Sequence, residues 1–300
     1  YHRLAPGETY QKFTGDERSW SVPVERFDEQ MKFLSESGMH QASPEEIMQF
    51  IEGGNLKNDE NFIVTFDDGC ESVYGAAFPI MKRYGIKPLI FVTADCESRV
   101  FRSGENPQRR LSDAEIVDLS EYGAVIGSHG LRHIALTEAS GEEIAGELDG
   151  SRAILSRITG KDTDFFAIPF NIYNDEVIRR ALKTYKAVFV SNPGTVKRDT
   201  CKGMLPRMNV EGSLGLDGFR RLFTPSSVIK RKTVQALKRI PVKVFGARRW
   251  LAAREKIFSS PAGRLINMRN LLLLAGFLLL TYAVAAAYSL VKILETILRI

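Results

Sequence analysis

Short runs rich in Val, Ile and Phe alternate with helix-start signals along most of this chain, and that alternation constrains the fold more than any other feature. Three segments open on a capping box, in which a serine side chain takes the N–H three residues on and a glutamate returns the bond: Ser43 with Glu46, Ser112 with Glu115, and Ser140 with Glu143. Pro44 at the first helical position strengthens the first. Around them lie runs at 62–66, 88–93, 124–127, 165–170, 187–191 and 205–210, with the length and β-branched character of buried strands. Further helices are expected at 23–37, where Phe27, Met31 and Leu34 share a face, at 73–84 before Gly85, and at 176–185. The pattern predicts an α/β parallel sheet, open or closed into a barrel, and 300 residues suffice for one barrel-sized domain or two small ones.

Charge is unevenly placed. The net charge is +5, yet residues 227–270 hold twelve Lys/Arg against one Glu, which leaves the first 226 residues acidic at −7. Basicity gathered beside a C-terminal apolar run argues against a nucleic-acid partner. Cys70, Cys96 and Cys201 have neither metal-type spacing nor an even framework, so no disulfide scaffold is expected. The chain opens on Tyr1-His2-Arg3 without methionine, as expected of a trimmed or processed chain, and no leader can be read from it.

Residues 62–69, Phe-Ile-Val-Thr-Phe-Asp-Asp-Gly, run a strand into two adjacent carboxylates and a glycine suited to a sharp turn. In parallel folds ligands gather at the carboxyl ends of strands, where Asp67 and Asp68 would sit; a solvated Asx turn is the plain alternative. The run at 124–127 leads into Ser128-His129-Gly130-Leu131-Arg132-His133, which holds two of the four histidines. Imidazoles four residues apart lie on one side of a helical turn, a common way to present two nitrogens to one cation, although such a pair also arises by coincidence. Both stretches follow expected strands and so emerge on one rim. Two histidines and a carboxylate leave a coordination position open, as a hydrolytic metal needs to hold water. Adjacent strand residues point to opposite sides, so one aspartate can face a cation while its neighbour meets the water.

These residues resemble the polysaccharide deacetylase family, the NodB-homology carbohydrate esterases. Thr65-Phe66-Asp67-Asp68-Gly69 matches its first motif and His129-Gly130-Leu131-Arg132-His133 is similar to its second, with the resemblance covering roughly residues 1–224. It implies a distorted (β/α) barrel, a divalent metal, usually zinc, held by Asp68, His129 and His133, and Asp67 as catalytic base. The reaction implied is removal of an N-acetyl group from an amino sugar. Ala167-Ile168-Pro169-Phe170 is similar to the third motif, which implies that the Phe170 backbone N–H, beside Pro169, helps hold the oxyanion. Pro169 and Phe170 as a mere strand end and wall are the alternative.

Two departures stand out. The third motif's arginine, which braces the catalytic aspartate, is Ala167 here; Arg207, after Leu205-Pro206, is the candidate replacement, with a surface salt bridge as the other reading. The family's late histidine, which protonates the leaving amine, has no counterpart after His133. Members with rearranged strand order supply an acid from an N-terminal Tyr-His segment, a description His2 fits.

Residues 271–290 carry no charge, and twenty residues rising about 1.5 Å each span the roughly 30 Å of a bilayer core. The expected organisation is a deacetylase-like domain at 1–224, a basic amphipathic juxtamembrane segment at 225–268 split by Pro241 and Gly246, and one transmembrane helix at 269–292. Basic residues before the span outnumber Lys292 and Arg299, so charge bias puts the N-terminal domain in the cytoplasm, unless the basic run binds lipid head groups on the outer side. The expected activity is metal-dependent hydrolysis of the N-acetyl amide of an N-acetylglucosamine-type residue in a cell-surface, exopolysaccharide or lipid-linked glycan. Expected partners are that glycan, membrane lipid and polysaccharide synthesis or export machinery. The competing reading is a catalytically impaired, membrane-anchored glycan-binding or assembly module.

Overall fold

The structure, a computed structural model, describes residues 1–58, 60–95 and 109–259. Its main sheet has six strands: β1 (Thr65–Phe66), β2 (Leu89–Val92), β3 (Val125–Ser128), β4 (Phe165–Ala167), β5 (Ala187–Val190) and β6 (Leu205–Pro206). They lie in sequence order and each pairs in parallel with the next. The principal helices of this part are α1 (Val24–Glu36), α2 (Pro44–Ile51), α3 (Phe78–Arg83), α4 (Asp113–Tyr122), α5 (Gly141–Thr159) and α6 (Asp175–Thr184). All three capping boxes form, at the N-termini of α2, α4 and α5.

Strand side chains alternate between cores as the pleat requires. Leu89, Phe91, Phe165, Ala167, Ala187, Phe189 and Leu205 share one cluster with Ala42 and Ile47, inside the curl of the sheet. Ile90 and Val92 face a second core with Phe27, Met81 and Leu119, while Phe166, Val188 and Val190 meet Leu148 and Val177 in a third. Rings fill the interior, the Phe189 centroid lying 5.2 Å from Phe91 and 6.1 Å from Phe165. Gly127 makes room for them, because a Cβ there would come 2.6 Å from the Phe91 ring.

The sheet is a curled half-barrel. Among the described residues β1 and β6 are its two edges and form no ladder with each other. Tyr1 lies along β1 instead, its N–H donating to Thr65 O (3.0 Å) and its carbonyl accepting the Asp67 N–H (3.0 Å).

Several elements differ from expectation. The single strand expected at 62–66 changes partners midway: Asn61–Phe62 pairs with His40–Gln41, and only Thr65–Phe66 joins the main sheet, because the chain bends with the curl. The helix at 73–84 begins as a π-helix, Val73–Ala77, and becomes α-helical from Phe78. Pro79 has no N–H to give to Gly75, so the turn before it widens, with Phe78 N–H reaching back to Val73 O. The run at 165–170 stops at Ala167 and turns into a short 3₁₀ segment, Pro169–Asn171. The run at 205–210 is strand only at Leu205–Pro206.

Downstream, α7 (Pro225–Phe245) continues through Pro241 and only Gly246, at φ 78°, breaks it from α8 (Ala247–Ser259). No helix among the described residues is long and apolar enough to cross a membrane. Residues 260–268 and the transmembrane helix expected at 269–292 lie outside the described residues.

Candidate active site

Asp67 and Asp68 leave β1 through a turn in which Asp68 (φ 71°) and Gly69 (φ 73°) are both left-handed, a region that Asp tolerates and Gly enters freely. Side-chain space is also short there, since a Cβ on Gly69 would meet Val92 Cγ1 at 3.0 Å. The turn sends the two carboxylates to different partners. Asp68 Oδ1 lies 3.4 Å from His129 Nε2 and 3.3 Å from His133 Nε2. Asp67 accepts two hydrogen bonds from Arg207, at 2.6 Å from Nη1 and 2.9 Å from Nη2. Both acids are buried, at 4% and 7% exposure.

The two imidazoles converge without a helical turn, contrary to expectation. β3 ends at Ser128, and the residues that follow form a loop in which Gly130 (φ 83°) and His133 (φ 57°) are left-handed. His129 Nδ1–H donates to Ala167 O at 2.8 Å, so Nε2, the atom facing Asp68, carries the lone pair when the ring is neutral and donates to the carboxylate when the ring is protonated. The His133 ring packs against Phe170, with centroids 4.4 Å apart.

These donors fit a divalent cation. One carboxylate oxygen and two ring nitrogens lie within 4.8 Å of one another. Four-coordinate bonds of about 2.0–2.1 Å separate neighbouring donors by about 3.3 Å, close to the two Asp68–imidazole distances. Burial opposes ionisation of Asp68, but hydrogen bonds from His129 and His133 outweigh it and hold the carboxyl well below its usual range. For Asp67 burial is likewise outweighed, here by the Arg207 guanidinium and the His129 ring, so that carboxylate also stays ionised. Arg207 is itself sheltered, with its Nη1 also donating to Thr65 Oγ1 (3.2 Å) and its guanidinium 5.0 Å from the Phe91 centroid.

Pro169 is buried, whereas Phe170 is 40% exposed and its backbone is left-handed (φ 58°). His2 reaches the site from the chain start, carried by the pairing of Tyr1 with β1, and its ring lies 4.5 Å from that of Trp20. Burial pushes the His2 ring down to about 4, against the pull of Asp68 and Asp67. α7 and α8 border the same rim. Arg231 Nη1 donates to Asn209 O (3.1 Å) beyond β6, Arg239 lies over the Tyr173 ring (4.6 Å) beyond β4, and Ala247 N–H donates to Glu138 Oε1 (3.2 Å) beyond β3.

Sequence reasoning missed two contributors. The Ala167 carbonyl that orients His129 is a backbone group with no sequence signature. Glu147 is buried on α5 beside Leu148, and a charged residue on that helix's apolar face was the available signal.

The model of the family described as polysaccharide deacetylase matches residues 55–188, the stretch that supplies Asp67, Asp68, His129 and His133. Residues 55–188 are thus similar to a polysaccharide deacetylase domain. Among similar proteins, YxkH of Bacillus subtilis, which bears a polysaccharide deacetylase name, is 25% identical over 219 residues, 73% of this chain and 71% of its own. A poly-β-1,6-N-acetyl-D-glucosamine N-deacetylase of Staphylococcus aureus is 23% identical over 199 residues, 60% of this chain and 67% of its own. In fold, the chain is similar to the Streptococcus pyogenes deacetylase PplD, solved in complex with acetate. The TM-score is 0.64 at 23% identity, over 75% of this chain and 96% of that one. The half-barrel is thus the deacetylase fold, and Asp68, His129 and His133 all lie within the matched residues.

Proposed function

We propose that this chain is a zinc-dependent deacetylase that hydrolyses the N-acetyl amide of an N-acetylglucosamine-type residue in a cell-surface, exopolysaccharide or lipid-linked glycan. The observation that carries the proposal is the meeting of Asp68, His129 and His133 at one point, beside an Asp67 paired with Arg207. Asp68, His129 and His133 would hold the zinc, which when bound would supply an electrophile for the amide oxygen and lower the pKa of water at the site. Asp67, kept ionised by Arg207, takes the proton of the attacking water. The Phe170 N–H, with Pro169 fixing the turn behind it, donates to the oxyanion. His2 gives the leaving amine its proton. The name of the Staphylococcus aureus relative, a poly-β-1,6-N-acetyl-D-glucosamine N-deacetylase, supports an acetylated amino-sugar polymer as the substrate class.

One observation favours a second reading, an impaired glycan-binding or assembly module. With its pKa near 4, His2 is almost wholly uncharged at neutral pH and is a weak starting acid. Acetate release from N-acetylglucosamine oligomers, with zinc, cobalt and chelator arms, decides between the two. Chelator-sensitive release supports the enzyme; glycan binding with zinc bound and no acetate released supports the module.

In this proposal residues 1–224 are the catalytic domain, 225–268 a basic segment against anionic lipid, and 269–292 a single membrane anchor. The contacts of α7 and α8 with the catalytic rim would keep the site close to the bilayer and to synthesis or export machinery. Charge bias favours a cytoplasmic catalytic domain. Membrane fractionation tests the anchor, and protease accessibility in intact cells tests the side.

A further inference from the structure

Three consecutive backbone N–H groups, of Gly130, Leu131 and Arg132, lie between the two candidate imidazole ligands, and all three donate to side chains. Gly130 N–H donates to Ser128 Oγ at 3.1 Å. Leu131 N–H and Arg132 N–H both donate to Glu147 Oε2, at 2.9 Å each. Arg132 Nε donates to the other oxygen, Oε1, at 2.7 Å. Glu147 is 1% exposed and comes from the middle of α5, an element with no other part in the site. One turn further on, Ser151 binds Ser128 Oγ (2.8 Å) and lies 2.9 Å from the Tyr185 hydroxyl, so the helix grips the loop at two levels.

The geometry is that of an anion seated in a nest of successive N–H groups. A carboxylate is buried only when its oxygens are fully engaged, and these are engaged by the loop that carries His129 and His133. Left-handed φ at Gly130 and at His133 bends the chain so that its N–H groups point towards α5 while both rings point to Asp68. Without the carboxylate, the Leu131 and Arg132 N–H groups would lose their acceptor, and of the α5 contacts described only that of Ser151 with Ser128, before both rings, would remain.

We propose that Glu147 is a positioning residue for the metal centre: it touches neither ring, yet it sets where the His129 and His133 nitrogens stand and so sets cation affinity. The inference rests on the reading of Asp68, His129 and His133 as metal ligands. Outer groups that orient ligands typically change metal affinity by about 10–100-fold when lost.

The test is zinc affinity by chelator competition, together with the visible spectrum of the cobalt-loaded protein, on the full chain and on Glu147→Ala and Glu147→Gln. Ser43→Ala serves as the control, since it removes a helix cap remote from the loop and lowers stability alone. The expected result is a roughly 10–100-fold weaker zinc site and an altered cobalt spectrum in Glu147→Ala. Glu147→Gln, which keeps one oxygen for the two N–H groups, should recover part of the loss, and Ser43→Ala should bind as the parent does. If the parent binds zinc and both Glu147 variants bind it equally well, the positioning role is wrong while the metal reading stands. If the parent binds neither zinc nor cobalt, both fall together. Should Glu147→Ala fail to fold, parent-like affinity and spectrum in Glu147→Gln overturn the role on their own.

Discussion

Arg207, just past β6, and Asp67, just past β1, stand at opposite edges of the six-stranded sheet and 140 residues apart in sequence, yet share two hydrogen bonds of 2.6 and 2.9 Å. That ion pair spans the gap the ladder leaves open. It joins the curl of the sheet to the charge state of the proposed base.

Removing the guanidinium leaves a buried carboxylate uncompensated. Arg207→Ala is expected to lower unfolding stability by roughly 3–5 kcal/mol, and Arg207→Lys by less, because a point charge cannot make the two-pronged contact. Asp67 has its pKa depressed in the folded protein, so the stability it contributes is present above the unfolded carboxyl pKa and lost as pH falls through the folded one. Without Arg207 the acid limb of kcat/KM should move to higher pH. Denaturant unfolding and a pH–rate profile measure the two effects.

His133→Ala or Asp68→Asn should abolish stoichiometric zinc binding and, with it, the rise in melting temperature that saturating zinc gives the parent. At one hundred times its Kd a ligand adds about 2.7 kcal/mol. Burial lowers the His129 pKa, but its bond to Asp68 and the charge of Asp67 raise it further, for a net rise. A cation must displace that proton, so zinc affinity is expected to fall as pH drops below neutral. Calorimetric titration at a series of pH values checks this.

The role of His2 separates by leaving group. Loss of a general acid typically costs about 10²–10⁴ in rate. His2→Ala should show such a drop in kcat/KM on an N-acetylated sugar, whose amine must be protonated to leave. Hydrolysis of 4-nitrophenyl acetate, whose phenolate departs unaided, should be nearly unchanged. Equal rates for parent and variant on the sugar would remove His2 from the mechanism.

Tyr185 reports on the scaffold behind the histidine loop. Burial pushes its phenol up to about 12, helped by none of its hydroxyl neighbours, which pull the other way. A folded pKa above the unfolded value of about 10 means that its contribution, roughly 2–3 kcal/mol, is complete below pH 10 and disappears as pH climbs through 12. Tyr185→Phe should therefore be the less stable protein near pH 8, through loss of the bond to Leu148 O (2.8 Å), and fall less steeply above pH 10. Urea unfolding at pH 8 to 11.5 resolves the two slopes.

Local signals were reliable where local chemistry decides the outcome. Ser43, Ser112 and Ser140 each start a helix because cap and glutamate lie three residues apart and meet whatever the rest of the chain does. Spacing misled where a contact partner decides it: His129 and His133 suggested a helical turn, but Ala167 O and Glu147 hold them on a loop.

The sequence by itself determined the alternation of strands and capped helices and the two charged stretches at strand ends, because periodicity and capping act over a few residues. Only the tertiary structure decided that the sheet stays open, that Arg207 meets Asp67 across its edges, and that a glutamate from α5 grips the loop between the two histidines. Those pairings depend on how far the sheet curls, and curl is set by the packing of Phe91, Phe165 and Phe189 inside it, a collective property that no local spacing encodes.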